Sequence, residues 1–211
     1  MFSRDKTTII GVDFDNTIIS YDQLVYDIAL ARGLINNTIT KNKRSVRDFI
    51  RLLSGGEESW QQLQAEIYGP SISKATLIPG VRDFFSKCST LGVSVYIISH
   101  KTNYANFDVT NTNLRKAAMS WMEDQGLFRE AAGGINPLHV IFASTRDEKI
   151  SLISQFSCTY FIDDLVEVFN EKKFPDSTEK ILFNRDKNRT TSSMNSFTSW
   201  PDILDHIFGK L

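Results

Sequence analysis

Short runs of apolar residues alternate along the chain with segments whose apolar residues recur every three or four positions. The first pattern predicts buried β-strands and the second predicts amphipathic helices. The five apolar runs are 7–13, 93–99, 139–144, 159–163 and 180–184. Because strands that alternate with helices indicate a parallel sheet covered on both faces, the chain is predicted to have an α/β fold. Its three-layer core would surround a mostly parallel, five-stranded sheet. A polar loop at about 184–198 is predicted to precede a short helix that begins near Pro201.

The long interval between the first two strands shows only helical patterns. Its three amphipathic segments lie at about 24–29, 45–53 and 60–67, and glycines follow each of them. Apolar stripes of this kind need a packing partner, so we expect the three helices to pack together. The predicted organisation is therefore a core made of residues 1–19 and 79–211, with a small all-helical domain at 20–78.

Composition and charge narrow the class of protein. The chain has 211 residues and a formal net charge of −1, with acidic and basic residues mixed along it, which argues against a nucleic-acid-binding protein. Cys88 and Cys158 lie in apolar stretches and are expected to be buried thiols of a reducing compartment. The sequence shows neither a signal peptide nor a membrane span. We therefore expect a cytoplasmic protein without a membrane partner; its oligomeric state is not predictable.

Polar residues stand at the ends of three predicted strands. Asp13 and Asp15 end the first strand, Ser99 ends the second, and Asp163-Asp164 ends the fourth. Lys149 begins the helix that leads into the fourth strand. In an open parallel sheet the carboxyl ends of the strands share one edge, where ligands bind. Two simpler interpretations exist, because an aspartate also begins turns and caps helices.

Four carboxylates that converge on one place repel each other, and burial strengthens the repulsion. A divalent cation with a preference for oxygen ligands removes this difficulty, and Mg²⁺ is such a cation. Mg²⁺ sites in proteins commonly combine one or two carboxylates with a substrate phosphate. The pattern therefore indicates Mg²⁺-dependent phosphoryl transfer.

The sequence resembles the haloacid dehalogenase-like (HAD) superfamily. The resemblance lies in four motifs in a fixed order: DFDNT at 13–17, IIS at 97–99, a lysine at 149 and FIDD at 161–164. Each motif occupies the expected place in the alternation of strands and helices. The resemblance covers the predicted core, implies that this core is Rossmann-like, and implies that residues 20–78 form a cap inserted after the first motif.

The resemblance also implies catalytic roles. Asp13 would be the nucleophile that forms an aspartyl-phosphate, and Asp15 would protonate the leaving alcohol and then activate water. Ser99 would hydrogen-bond a phosphoryl oxygen. Lys149 would offset the negative charge of Asp13 and the phosphate, although Lys101 is an alternative for this role.

Metal and substrate contacts follow from the same resemblance. The implied Mg²⁺ ligands are Asp13, the backbone carbonyl of Asp15, Asp164 and, through a water molecule, Asp163. The implied substrate contacts are Asn16, Thr17, His100 and Lys101. The basic segment 41–51 either recognises an anionic substrate or forms a solvated helix face. The loop at 100–113, with Tyr104, Asn106 and Asn113, is a further candidate for substrate contact.

The expected function is that of a Mg²⁺-dependent phosphatase. It would hydrolyse a small-molecule phosphate ester, a phosphorylated metabolite that fits beneath the cap. A phosphotransferase or a phosphomutase would use the same residues, and a catalytically silent binding or regulatory module is a further alternative. The sequence does not identify the substrate or the pathway.

Overall fold

The computed structural model of the chain describes residues 8–185 and 194–209. Its strands are β1 (Ile9–Val12), β2 (Ile19–Ser20), β3 (Thr76–Leu77), β4 (Ser94–His100), β5 (Val140–Ala143), β6 (Tyr160–Asp163), β7 (Glu179–Phe183) and β8 (Asn195–Phe197). Its helices are α1 (Asp22–Ala31), α2 (Lys43–Arg51), α3 (Gly56–Tyr68), α4 (Val81–Thr90), α5 (Leu114–Asp124), α6 (Arg146–Gln155), α7 (Val166–Phe169) and α8 (Trp200–Phe208). Among these helices, none combines the length and the apolar character needed to cross a membrane.

Six of the strands form one sheet in the order β5-β4-β1-β6-β7-β8, and every neighbouring pair is parallel. The chain leaves β1 for β4 on one side and later returns to pair β6 on the other side. The direction of strand order therefore changes at β1, which is the position where open α/β sheets bind ligands. The predicted α/β class and the mostly parallel sheet are confirmed.

The sheet has one strand more than the sequence predicted. Residues Asn195–Phe197 form the edge strand β8, which pairs with β7 through Ile181↔Asn195 and Phe183↔Phe197. The sequence analysis assigned these residues to the polar loop at 184–198, of which 186–193 lie outside the described residues. The strand is only three residues long and exposes its first two residues, so it lacks the apolar alternation that identifies a strand.

Contacts between Cα atoms divide the chain into two compact units. The first unit contains the residues up to Ile18, Ile78–His100 and the residues from Gly126 onward, and thus the whole six-stranded sheet. Helices α4 and α6 pack against β4 in this unit. Its apolar core includes Ile98, Ile153, Phe161 and Leu182, which are buried together.

The second unit combines Ile19–Leu77 with Lys101–Gln125. Helices α1, α2 and α3 pack against each other, as the apolar stripes predicted, and α5 packs against α3. The indole Nε1 of Trp121 on α5 donates a hydrogen bond to the Ala75 carbonyl at 3.1 Å. The sequence analysis assigned 101–125 to the core and expected only helices at 20–78, whereas this unit also contains the short antiparallel pair β2-β3. Its function as a cap remains a prediction.

Gly11 lies in the centre of β1, where a side chain would collide with the neighbouring strand. A Cβ atom on Gly11 would lie 2.4 Å from Cδ2 of Phe161, a buried ring on β6. The third nearest atom is the Sγ of Cys158, at 3.0 Å. The close approach of β1 and the Phe161 ring therefore requires glycine at this position.

Substitution of Gly11→Ala should lower the free energy of unfolding by about 1–3 kcal/mol, because the extra methyl group forces the Phe161 ring out of its position. Urea unfolding followed by circular dichroism measures the effect. In a Phe161→Leu background the same substitution should cost less, since the smaller side chain leaves room for the methyl group. An equal cost in both backgrounds would show that the ring is not the cause.

Candidate active site

Asp13 directly follows β1, the strand that lies between β4 and β6. The register Val12↔Ile97 and Val12↔Ile162 brings the carboxyl ends of all three strands together. The backbone N–H of Asp13 continues the ladder by donating to the Ile162 carbonyl at 2.9 Å. Asp13 is only 6% exposed, and its Oδ1 accepts a hydrogen bond from Ser99 Oγ at 2.9 Å. Parallel pairing thus places Ser99, on β4, against Asp13, which directly follows β1.

Lys149 connects the two buried aspartates of the site. It lies in the first turn of α6, which begins after Thr145, whose side chain accepts from the N–H of Glu148. The Lys149 side chain is 2% exposed, and its Nζ lies 2.6 Å from Asp13 Oδ1 and 2.6 Å from Asp163 Oδ2. Burial alone would lower the pKa of Lys149, but the charges of Asp13 and Asp163 outweigh burial and raise this pKa above its ordinary value. The ammonium group therefore stays charged and compensates both carboxylates.

Asp163 and Asp164 at the end of β6 differ in their surroundings. Asp163 is fully buried, and both of its oxygens are engaged: Oδ2 by Lys149, and Oδ1 by the backbone N–H of Leu165 at 2.9 Å. Burial, reinforced by the Asp13 charge and opposed by Lys149, raises the pKa of Asp163 to about 6. Asp164 is half-buried. Of the two, Asp164 is therefore the better placed for direct contact with a ligand.

The carboxylates of Asp13, Asp163 and Asp164 form a group that suits a metal ion. Each offers one oxygen, and the three oxygens lie within 4.8 Å of one another. Oδ1 of Asp13 accepts hydrogen bonds from Ser99 and Lys149, whereas no residue described in the structure donates a hydrogen bond to Oδ2. An all-oxygen set of this kind fits a hard cation such as Mg²⁺.

The turn that follows Asp13 contains three of the predicted site residues. Asp15 is half-buried and lies outside the group of three carboxylates. Asn16 has a positive φ of 61°, which asparagine tolerates better than most residues. Thr17 is buried, and its carbonyl accepts a hydrogen bond from Trp200 Nε1 at 3.0 Å. Among the described residues, the Thr17 hydroxyl has no partner.

The indole of Trp200 is a supporting contact that the sequence analysis missed. Trp200 begins α8 near the end of the chain, 183 positions from Thr17, and it is fully buried. The short apolar pattern of the last helix gave no signal for this hydrogen bond. Trp200 therefore braces the turn of the first motif from a distant part of the chain.

The two residues after Ser99 lie in different surroundings. His100 is exposed, and its Nε2 lies 3.1 Å from the Ser144 carbonyl. Lys101 belongs to the second unit, where its Nζ lies 4.9 Å from the centroid of the Tyr68 ring. Of the two lysines considered as the partner of Asp13, Lys149 makes the contact.

The two further sequence candidates are largely occupied by local contacts. In the basic segment 41–51, Arg47 pairs with Asp48 and Arg51 pairs with Glu57, and all four side chains are at least one-third exposed. In the loop at 100–113, the Asn113 side chain caps α5 by accepting from the N–H of Lys116. These contacts favour a solvated face for the arginines and a structural role for Asn113.

Comparison with known proteins identifies the fold. No family model matches the sequence, and neither does any curated protein, but 55 chains of solved structures match. A HAD-superfamily hydrolase from Ehrlichia chaffeensis has 14% identity and a TM-score of 0.54, over 97% of this chain and 98% of that chain. A HAD-family hydrolase from Deinococcus radiodurans, with bound phosphate and sodium, has 12% identity and a TM-score of 0.57, over 95% and 94%.

A third similar structure is named as a kinase and not as a hydrolase. Protein tyrosine kinase A from Mycobacterium tuberculosis has 13% identity and a TM-score of 0.59, over 97% of this chain and 99% of that chain. The chain therefore has the fold of the HAD-superfamily hydrolases, and the resemblance found in the motifs is confirmed at the level of the fold.

Substitution of Lys149→Met should lower the free energy of unfolding by about 3–5 kcal/mol, because it leaves two buried carboxylates without their positive partner. Urea unfolding in EDTA measures this effect without a contribution from metal. Lys173→Met is a matched control, since Lys173 is 77% exposed and its ion pair with Asp147 should be worth about 1 kcal/mol or less. A small and equal effect of both substitutions would contradict a central role for the buried ammonium.

Proposed function

We propose that the protein is a Mg²⁺-dependent phosphatase that hydrolyses a small phosphorylated metabolite through an aspartyl-phosphate intermediate. The observation that carries the proposal is the asymmetric environment of Asp13. One carboxylate oxygen is held by Lys149 and Ser99, while the other accepts no hydrogen bond from the described residues. A carboxylate that is held in this way beside an ammonium group has the properties of a nucleophile.

The reaction proceeds in two displacements. In the first, Oδ2 of Asp13 attacks phosphorus, the bond between phosphorus and the ester oxygen breaks, and Asp15 gives a proton to the leaving alcohol. In the second, Asp15 takes a proton from water, and the water oxygen displaces Asp13 from phosphorus. Inorganic phosphate leaves and both aspartates return to their first state. Lys149 and Ser99 hold Asp13 during both displacements.

The metal would be held by Asp13, by Asp164 and by the backbone carbonyl of Asp15. Asp163 would act through a water molecule, since both of its oxygens are already engaged by Lys149 and by the N–H of Leu165. When bound, Mg²⁺ would supply positive charge for the phosphate oxygens. The phosphate and sodium in the Deinococcus radiodurans structure support a site for an anion and a cation in this fold.

Phosphotransferase and phosphomutase activities remain alternatives because they need the same residues and differ in the acceptor. One solved structure with a similar fold is named protein tyrosine kinase A, and a kinase is a phosphotransferase. A dehalogenase is disfavoured, since the resemblance implies no metal and no second aspartate for that chemistry, whereas Asp15 and Asp164 are present here. A silent binding module is disfavoured because none of the implied catalytic residues is missing. A cytoplasmic location remains a prediction from the sequence.

The first test is phosphate release from p-nitrophenyl phosphate and from a panel of sugar, nucleotide and small-acid phosphates. Activity should require Mg²⁺, and Asp13→Asn should lower kcat at least about a thousandfold, because the substitution keeps the shape of the side chain and removes the nucleophile. Asp147→Asn, which changes an exposed carboxylate, is the matched control and should retain activity. Equal inactivity of the wild type and Asp13→Asn on every ester, with and without metal, would overturn the proposal.

A second test separates the roles of the paired aspartates at the end of β6. Asp164→Asn should raise the Mg²⁺ concentration for half-maximal activity by at least about tenfold, because it removes a direct ligand. Its circular dichroism and urea midpoint should stay close to those of the wild type, since Asp164 is less buried than Asp163. An unchanged Mg²⁺ requirement would show that Asp164 is not a ligand.

A further inference from the structure

Hydrogen bonds of two different origins hold the turn at 14–18 in the first motif. Within the turn, the backbone N–H of Ile18 donates to the carbonyl of Phe14 at 3.0 Å. From a distant part of the chain, the indole Nε1 of Trp200 donates to the carbonyl of Thr17 at 3.0 Å. Thr17 and Trp200 both belong to the unit that contains the six-stranded sheet. The conformation of the turn is therefore coupled to the first residue of α8.

The turn needs this support because it contains an unfavourable backbone conformation. Asn16 has a φ of 61°, in the left-handed region, which costs energy in any residue other than glycine. Thr17, which follows it, is completely buried. A buried carbonyl that loses its hydrogen-bond donor destabilises the conformation that buries it. Loss of the indole donor would therefore free the turn to leave the conformation that Asn16 adopts.

The indole is a rigid donor, because aromatic residues of two other elements pack against it. The Trp200 ring is completely buried, and its centroid lies 4.8 Å from that of Phe84 on α4 and 5.8 Å from that of Phe183 on β7. Its Cβ lies close to the backbone of Gly80, where an added Cβ would come within 2.8 Å of it. A ring packed in this way has little freedom to rotate. The indole N–H therefore stays directed at the turn.

We propose that Trp200 is a positioning residue that keeps Asp15 in place for the activation of water. The inference rests on the proposed phosphatase reaction, in which Asp15 takes a proton from water during the second displacement. Asp15 directly precedes Asn16, so a change in the backbone of the turn would redirect its carboxyl group. A displacement of a proton-transfer group by a fraction of an ångström is enough to slow the step that it assists.

Asp13 is held by contacts that do not involve Trp200. Its backbone N–H donates to the Ile162 carbonyl, and its Oδ1 accepts from Ser99 and Lys149. Removal of the indole donor should therefore disturb Asp15 more than the nucleophile. For an ester whose alcohol leaves without being protonated, such as p-nitrophenyl phosphate, the first displacement should stay fast and the second should become slow.

Rapid mixing of the full-length chain with Mg²⁺ and p-nitrophenyl phosphate separates the two displacements. Trp200→Phe keeps an aromatic ring and removes the donor. Its first turnover should stay within about threefold of the wild type, while its steady-state rate should fall by about tenfold or more. A burst that approaches about one p-nitrophenolate per chain should then precede the steady state. An alkyl phosphate, whose alcohol needs the proton of Asp15, should give no burst.

Trp121→Phe is the matched control. Trp121 is also buried, and its indole donates to the Ala75 carbonyl at 3.1 Å, in the second unit. This substitution should lower the urea midpoint in the same way and leave the ratio of first-turnover rate to steady-state rate unchanged. The inference is wrong if Trp200→Phe slows both phases equally, if its steady-state rate equals that of the wild type, or if Trp121→Phe changes the ratio as much.

Hydrogen exchange of the Ile18 N–H tests the support of the turn without substrate. Trp200→Phe should accelerate this exchange by about tenfold or more, and Trp121→Phe should not. If the wild type hydrolyses no ester while the exchange responds, the proposed function fails and the contact still supports the turn. If the wild type is active and the exchange does not respond, the inference fails and the phosphatase stands. Should Trp200→Phe not fold, 3-benzothienylalanine at position 200 replaces the N–H by sulfur in a ring of the same shape, and the same outcomes apply.

Discussion

The buried ammonium group of Lys149 is the constraint on which the candidate site depends. Asp13 and Asp163 are almost completely withdrawn from water, and two negative carboxylates so placed would repel each other. A single lysine in contact with both makes their burial possible and holds each of them in one orientation. Because the ammonium engages only Oδ1 of Asp13, the same contact that stabilises the site leaves Oδ2 without a hydrogen bond to the described residues.

The parallel sheet is what brings the parts of this charge cluster together. Asp13, Ser99 and Asp163 come from three adjacent strands whose carboxyl ends lie at one edge. Lys149 comes from α6, which precedes β6 in the chain and packs against β4. No short-range preference of the chain could place these four residues in contact. The change of strand order at β1 does so, because it makes the first strand the neighbour of both others.

Local patterns predicted most of the core, and long-range contacts account for what they missed. The apolar runs identified five strands, and the positions of polar residues at their ends identified Asp13, Ser99 and Asp163 as neighbours. The edge strand β8 was missed because its three residues are mostly exposed. The apolar face of α5 was recognised, but its packing against α3 in the second unit was not. Periodicity shows that one face of a helix is buried, but it does not show which element covers that face. The Trp200 hydrogen bond to Thr17 spans 183 positions and left no local signal.

In the proposed reaction, the charge cluster of Asp13, Asp163 and Lys149 would constrain the first displacement far more than the second. Lys149 and Ser99 hold Asp13, the proposed nucleophile, and a phosphate group that reaches its Oδ2 would meet the same environment whatever ester carries it. The acceptor of the phosphoryl group, by contrast, contacts neither Lys149 nor Asp163 in the proposed reaction, so the cluster cannot discriminate between water and an alcohol. Residues that recognise the ester or the acceptor must therefore lie outside it. Changing such residues while keeping the charged centre would alter the substrate without altering the proposed chemistry. One fold can carry different activities, and the solved structures similar in fold to this chain include proteins named as a hydrolase and as a kinase.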